Sequence, residues 1–526
     1  MAEFEQEFFN AADHFVDRNV REGRGDKIAI YTERRNYTYY DVQKMVNKTG
    51  NALRDAGVRI DDRIMLLMLD VPQFYAAFWG AVKIGAVPIP VNTMLTPEDY
   101  EYYLNDSRAK VIFVSEELVH LITNIRGDLY YLRDMVIVTE NDGAQVPFKQ
   151  KYRQASASLK PALTTKDDVG FWLYSSGSTG SPKGAIHSQD DMVVSAQSYA
   201  KSVMKLTEDD IIFSGARLFF AYGLGNSMYI PLELGAPVVL NPHMPTPKNI
   251  FQCLERYRPT VFFGVPTLYG QLLEYKERQE REQGKTIEPG DSHEFSSVRI
   301  CVSAGEPLPM HLYYRWKERF GLDILDGIGS TEMLHIFLSN RPGDVRPGST
   351  GKPVPGYTFR IVDDAGQDVP QGEIGTLLVK GDSAAQQYWR KRDKTRKTMQ
   401  GEWVDTGDKY YIDDDGYYWC AGRSDDMLKV GGIWVSPVEV ENCINDHPAV
   451  FECAVVGKAD EKELIKPKAF CVLREDFADS DELREELKKW VLERLAKYKY
   501  PRWIEIVSEL PKSATGKIQR FKLRDK

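Results

Sequence analysis

The chain has 526 residues, too many for one ordinary hydrophobic core, so two or more domains are expected, with 42% hydrophobic residues to fill them. Its 68 basic and 77 acidic side chains give a formal charge of -9 with no block of five or six like basic residues. That balance argues against a nucleic-acid partner, while a local basic patch for a phosphorylated cofactor remains compatible with it.

In chain order, the acidic start has no lysine or arginine before Arg18, unlike a secretory or transit leader. The most apolar run, Phe74 to Val82, is cut by Lys83, Pro88 and Pro90, well short of a membrane span. Six cysteines are scattered without a close pair along the sequence, which suggests neither a disulfide framework nor a zinc knuckle. A cytoplasmic protein without a membrane segment is therefore expected. Apolar stretches at Arg63 to Leu69, Ala109 to Val114, Asp134 to Val138, Thr260 to Gly264 and Val298 to Val302 read as strands alternating with helices, an α/β pattern.

Val169 to Tyr174 reads as a further buried strand. It runs into Tyr-Ser-Ser-Gly-Ser-Thr-Gly-Ser-Pro-Lys-Gly (Tyr174 to Gly184), after which Met192, Val193, Ala196, Tyr199, Ala200 and Val203 recur at helical spacing. The expectation is a loop linking strand to helix. Glycines 177 and 180 allow close approach to an anion, Ser175, Ser176, Ser178 and Thr179 donate hydrogen bonds, and Lys183 brings a compact charge, so phosphate is the natural ligand. Lys183 lies between Pro182 and Gly184, which is not a Walker arrangement. Further on, acidic and glycine residues near Asp425 follow a run of Tyr, Trp and Asp. They set an expected boundary between residues 1–424 and a small α+β domain of 425–526, about a hundred residues long. In the latter, Pro437 to Asn445 and Ser480 to Lys497 read as helices, with Glu452 to Val456 and Ala469 to Leu473 as strands.

The loop resembles the phosphate loop of the acyl-adenylate-forming superfamily, and similar motifs follow in order: Ala304-Gly305-Glu306, an adenine turn; Asp326-Gly327-Ile328-Gly329-Ser330-Thr331-Glu332, the nucleotide and magnesium motif; Thr406-Gly407-Asp408, a ribose site; Gly422 to Gly432, the interdomain hinge; and Pro511 to Lys517, a lysine loop. The resemblance implies a large multi-subdomain adenylate-forming domain with a small mobile lid, using ATP, Mg²⁺ and coenzyme A. It implies Lys517, Thr331, Glu332 and Lys183 as catalytic, with Glu332 holding Mg²⁺ and Lys183 acting chiefly on departing pyrophosphate. Asp408 and Arg423 would hold ribose or α-phosphate, Asp425 would be the pivot, and Lys429, Gly431 and Gly432 would meet the pantetheine arm.

Leu-Phe-Phe-Ala-Tyr-Gly-Leu-Gly-Asn-Ser (Leu218 to Ser227), read with Gly327 to Phe337, offers flat walls with space between them, which suits a planar ring. With His335 and Ile336 it resembles the benzoate-CoA ligase branch, implying an aryl pocket of Phe220, Ala221, Tyr222, Gly327, Gly329, His335 and Ile336. Many relatives carry tyrosine where this chain has Ile328, so adenine stacking from that position is absent. Ligation of benzoate or a close aryl carboxylate to coenzyme A is the reading, by a monomer or homodimer. A hydroxybenzoate or other aryl-acid ligase, and a luciferase-like monooxygenase, are the alternatives.

Overall fold

A computed structural model describes residues 8–139, 148–175, 182–282, 294–430, 433–461, 464–512 and 518–524. The fold is mixed α/β in two parts, a large amino-terminal region and a small carboxy-terminal one. Residues 63–138 supply a four-stranded parallel sheet in the order Val87–Pro90, Arg63–Leu67, Val111–Ser115, Asp134–Val138. Parallel pairing needs crossovers, and helices Pro72–Lys83 and Pro97–Ser107 provide them. The first opens with a proline, whose missing N–H costs nothing at a helix start, and buries every residue but Gln73. It lies against helix Tyr39–Asp55 so closely that a Cβ on Gly80 would stand 3.0 Å from the Gly50 nitrogen. Lys83, buried at its end, is held by Asp17 at 2.6 Å and Asn47 at 2.6 Å. The segment read as too short for a membrane span is thus a core helix. No helix among the described residues is long and apolar enough to cross a membrane.

A nine-stranded sheet forms the floor of the site. Its six central strands run parallel, from Ile324–Gly329 through Ile300–Ser303, Val261–Gly264, Ile212–Ser214 and Val238–Val239 to Ile28–Tyr31. Ile336–Ser339 returns antiparallel on Ile324–Gly329, which puts the two halves of the expected aryl wall on neighbouring strands.

Around the phosphate loop the expectation fails. Val169–Ser175 is followed by a second strand, Lys183–Ser188, paired antiparallel with it so that Ser175 lies opposite Lys183. The helix begins only at Asp191 and continues as a π-helix to Lys201. The short run Gly184-Ala185-Ile186-His187 is too brief for periodicity to reveal; it becomes a strand because Val169–Ser175 on one side and Gln387–Tyr388 on the other pair with it.

An antiparallel sheet contributed by residues 358–423 carries Trp403–Ile412 beside Tyr418–Arg423, with Asp408 opposite Arg423. Beyond it, Val450–Ala459, Ile465–Leu473 and Trp503–Ile506 form a small sheet covered by helices Pro437–Asn445 and Asp481–Arg494. The latter opens on Ser480, whose hydroxyl accepts from Leu483 N–H at 3.2 Å.

Candidate active site

One cavity of about 2110 Å³ collects most of the residues singled out in the sequence. Ser175, the adenine turn Ala304, Gly305 and Glu306, and the run Asp326 to Thr331 line it, as do Asp408, Arg423 and Asp425. So do Phe220, Ala221, Tyr222, His335 and Ile336. Ser176, Gly177, Ser178, Thr179, Gly180, Gly431, Gly432 and Lys517 lie outside the described residues, and of Lys429 only the backbone, in strand Leu428–Val430, is described.

Glycine recurs on the floor for a steric reason. A Cβ at Gly329 would come within 2.4 Å of the His335 carbonyl oxygen, and one at Gly327 within 2.9 Å of the Leu338 carbonyl oxygen, so both let Ile336–Ser339 close on Ile324–Gly329. Leu334, at φ 69°, is a leucine held in the left-handed region, at a cost of about 1 kcal/mol, where the chain turns into that returning strand. His335, 2% exposed, faces Tyr199, Tyr222 and Tyr229, and its Nε2 meets Asn226 Oδ1 at 3.0 Å. Burial drives its pKa down to about 3, so the ring is neutral. The opposite wall starts at Phe220 and continues as helix Ala221–Leu224 and π-helix Gly225–Tyr229. Tyr222 points its hydroxyl at the sheet, donating toward the carbonyls of Val302 (3.2 Å) and Gly264 (3.3 Å).

On the nucleotide side, the Arg423 guanidinium donates to Asp408 Oδ1 at 3.0 Å, and that carboxylate's charge leads the causes that raise the arginine's pKa. Asp326 is buried and pushed well above the usual carboxylate range by desolvation, against the pull of backbone donors such as Leu308 N–H at 3.4 Å. Glu306 Oε1 accepts from the backbone N–H of Ile518 at 3.1 Å, tying the carboxy-terminal segment to the Ala304-Gly305-Glu306 turn. Near the proposed pivot, the Asp425 carbonyl accepts from Arg524 at 2.6 Å.

Glu332 and Lys183 flank the base of the phosphate hairpin. Glu332 Oε1 receives Tyr388 OH at 2.6 Å and Ser175 Oγ at 3.4 Å, while Lys183 Nζ donates to Tyr388 OH at 3.3 Å. Desolvation leads the causes that lower the Lys183 pKa. Thr331 is anchored through its carbonyl, which lies 2.8 Å from His187 Nε2; the other ring nitrogen meets Asp191 at 2.7 Å. Sequence reasoning missed Tyr388, His187 and Asn226. For His187 a signal existed in the aspartate four residues later; for Tyr388 and Asn226 there was none, since their partners lie 56 and 109 positions away. Among the described residues no three His, Cys, Asp or Glu side chains converge as a metal cage. A single carboxylate at the phosphate hairpin fits Mg²⁺, which is bound through one or two carboxylates plus substrate phosphates.

Comparison with known proteins identifies the chain's relatives. Residues 16–389 match the AMP-binding enzyme family and residues 439–517 its C-terminal domain. A benzoate–CoA ligase of Thauera aromatica is 48% identical, the match covering 98% of this chain and 96% of that protein. A 4-hydroxybenzoate–CoA/benzoate–CoA ligase of Rhodopseudomonas palustris is 45% identical over 98% and 94%. Among solved structures, an anthranilate CoA ligase in complex with anthranoyl-AMP superposes with a TM-score of 0.92 at 46% identity, covering 98% of this chain and 97% of its own. A benzoate CoA ligase from Burkholderia xenovorans LB400 does so at 0.88 and 45%, covering 98% and 100%. With both its large region and its small one matched, the chain belongs to the AMP-binding enzyme family.

Proposed function

We propose that the protein is an AMP-forming aryl-CoA ligase whose acid is benzoate. A carboxylate is a poor electrophile, and adenylation turns one of its oxygens into a leaving group. The acid attacks the α-phosphate of ATP and expels pyrophosphate; the thiol of coenzyme A then displaces AMP from the acyl carbon. The observation that carries this reading is the single cavity in which a neutral, aromatic-walled pocket opens beside the Asp408–Arg423 pair and the adenine turn.

In this reading Asp408 accepts from the ribose hydroxyls, and Arg423 holds its carboxylate in place or reaches the α-phosphate. Donors at Thr331 and in the hairpin loop meet charge developing on phosphate oxygen. Glu332 would hold magnesium, which when bound supplies charge neutralisation on the triphosphate. Lys183 meets the departing pyrophosphate, and Lys517 bridges acid and α-phosphate. The hydrogen bond from Ile518 to Glu306, one residue beyond Lys517, supports a carboxy-terminal loop brought to the adenylate side. Asp425 would be the pivot between residues 1–424 and 425–526, and Lys429 with Gly431 and Gly432 would border the path of the thiol. We place the enzyme in the cytoplasm.

Benzoate is favoured over its hydroxylated analogues because Tyr222 OH is engaged with two backbone carbonyls and His335 Nε2 with Asn226, while His335 Nδ1, Asn226 Nδ2 and Tyr229 OH, which have no partner among the described residues, are buried out of reach of solvent. Burying an unpartnered ring hydroxyl costs about 1 to 3 kcal/mol. The test is CoA-dependent AMP release, assayed without oxygen, over benzoate, 2-fluorobenzoate, 4-hydroxybenzoate, aliphatic acids and amino acids. Benzoate and its 2-fluoro analogue should lead, with 4-hydroxybenzoate about tenfold or more lower in kcat/KM. A win for the hydroxylated acid would make the protein a hydroxybenzoate ligase, and a need for oxygen would make it a monooxygenase.

A further inference from the structure

Tyr388 stands between two groups of opposite charge that both have work at the triphosphate. Its hydroxyl has one proton, which goes to Glu332 Oε1 at 2.6 Å, and its oxygen accepts from Lys183 Nζ at 3.3 Å. The same ammonium lies 4.4 Å from the centre of the phenol ring. Among the described residues no ion pair within 4 Å joins Lys183 directly to Glu332. The ring is held firmly. Tyr388 is 2% exposed, packs with Ala185 and Ala385, pairs with Ala185 across the strands, and donates its backbone N–H to Thr395 Oγ1 at 3.0 Å.

We propose that Tyr388 is a positioning residue for the nucleotide site: a neutral spacer that keeps Lys183 and Glu332 apart and leaves each free for MgATP. The inference rests on the roles given above to Glu332 and Lys183. Its logic is electrostatic. A lysine and a carboxylate close enough to meet, in a partly desolvated site, collapse into a salt bridge that satisfies both charges and withdraws both from a ligand. A phenol between them satisfies one oxygen of the carboxylate and lends the ammonium an oxygen and a ring face. Neither contact neutralises a charge.

Tyr388→Phe removes the spacer's oxygen and keeps its ring. Calorimetric titration of the whole protein with ATP, once with magnesium and once with chelator, reads the effect without any acid substrate. The variant should bind MgATP about tenfold more weakly, the preference for MgATP over metal-free ATP should shrink by a similar factor, and half-activating magnesium should rise. The melting temperature should stay within about 2 °C, since a single hydroxyl bond contributes little to the whole fold. In a Glu332→Gln background the same tyrosine change should have little further effect on MgATP. A folded Tyr388→Phe protein with the wild-type preference for MgATP, or an equal loss with and without magnesium, overturns the proposal. So does an undiminished effect in the Glu332→Gln background. Because the titration needs no acid, it is independent of whether benzoate is the substrate.

Discussion

At the scale of single residues, the proposed aryl pocket depends on an absence. Gly225 opens a π-helical turn against His335, and a Cβ there would meet His335 Cδ2 at 2.4 Å and Tyr229 OH at 2.6 Å. Gly225→Ala must therefore move the imidazole or the helix, an overpacking change of about 1 to 3 kcal/mol. We expect kcat/KM for the acid to fall at least about tenfold while KM for ATP holds, which steady-state kinetics with each substrate varied in turn will show. Lys517→Ala separates the two half-reactions. Pyrophosphate exchange should be lost, whereas CoA thioester formation from supplied benzoyl-adenylate should be largely spared, because in the proposed mechanism the lysine acts on the first step only. Equal loss of both would remove Lys517 from that role.

At the scale of elements, strands and helices with long apolar runs or clear caps were legible. Asp134–Val138 and Pro437–Asn445 have the ends read from sequence, and helix Asp481–Arg494 starts at the expected serine cap. The second strand of the phosphate hairpin was not legible, because Lys183–Ser188 owes its state to partners on both sides rather than to its own pattern. The site shows the same division. Glu332, Lys183 and Thr331 stand out as residue types in motifs, whereas Tyr388, which joins two of them, is one aromatic among 28 tyrosines and acquires meaning only from a contact 205 positions away. The joint between the two regions gives an element-scale prediction. Asp425→Pro fixes one backbone dihedral at the proposed pivot, so one half-reaction should slow by about tenfold or more relative to the other in single-turnover assays. Two unaffected half-reactions would put the pivot elsewhere.

At the scale of the molecule, the two regions press a titratable group between them. His311, on helix Met310–Phe320 of the large region, lies near Arg315 of the same helix and Arg474 of the small region. Burial foremost, and then these two cations, lower its pKa to about 4. Glu274 is affected by the same arginines and by Glu277, and its own pKa is raised mainly by burial. Since the folded value of His311 lies below its ordinary 6.5, unfolding takes up a proton at pH values between about 4 and 6.5. Stability is then full above pH 6.5 and is lost as the pH falls through that window, by about 2 kcal/mol at pH 5 from this residue. Urea denaturation at pH 7.5 and pH 5.0 should show the loss, and His311→Gln should reduce it; an unchanged difference would assign the acid sensitivity to other groups.

The rung formed by Asp408 and Arg423 is the last of its ladder before the chain turns, with the N–H groups of Asp426 and Met427 donating back to the Arg423 carbonyl at 2.9 and 3.0 Å. In the proposed rotation about Asp425, a twist of the small region would load that rung first. If Asp408 and Arg423 hold the sugar and Asp425 is the pivot, as proposed, grip and angle are mechanically in series, like a clamp mounted on the axle it steadies. On that reading a nucleotide that fills the clamp would stiffen the axle and a turn of the axle would work the clamp loose, so the affinity for the spent nucleotide should vary with the angle of the joint.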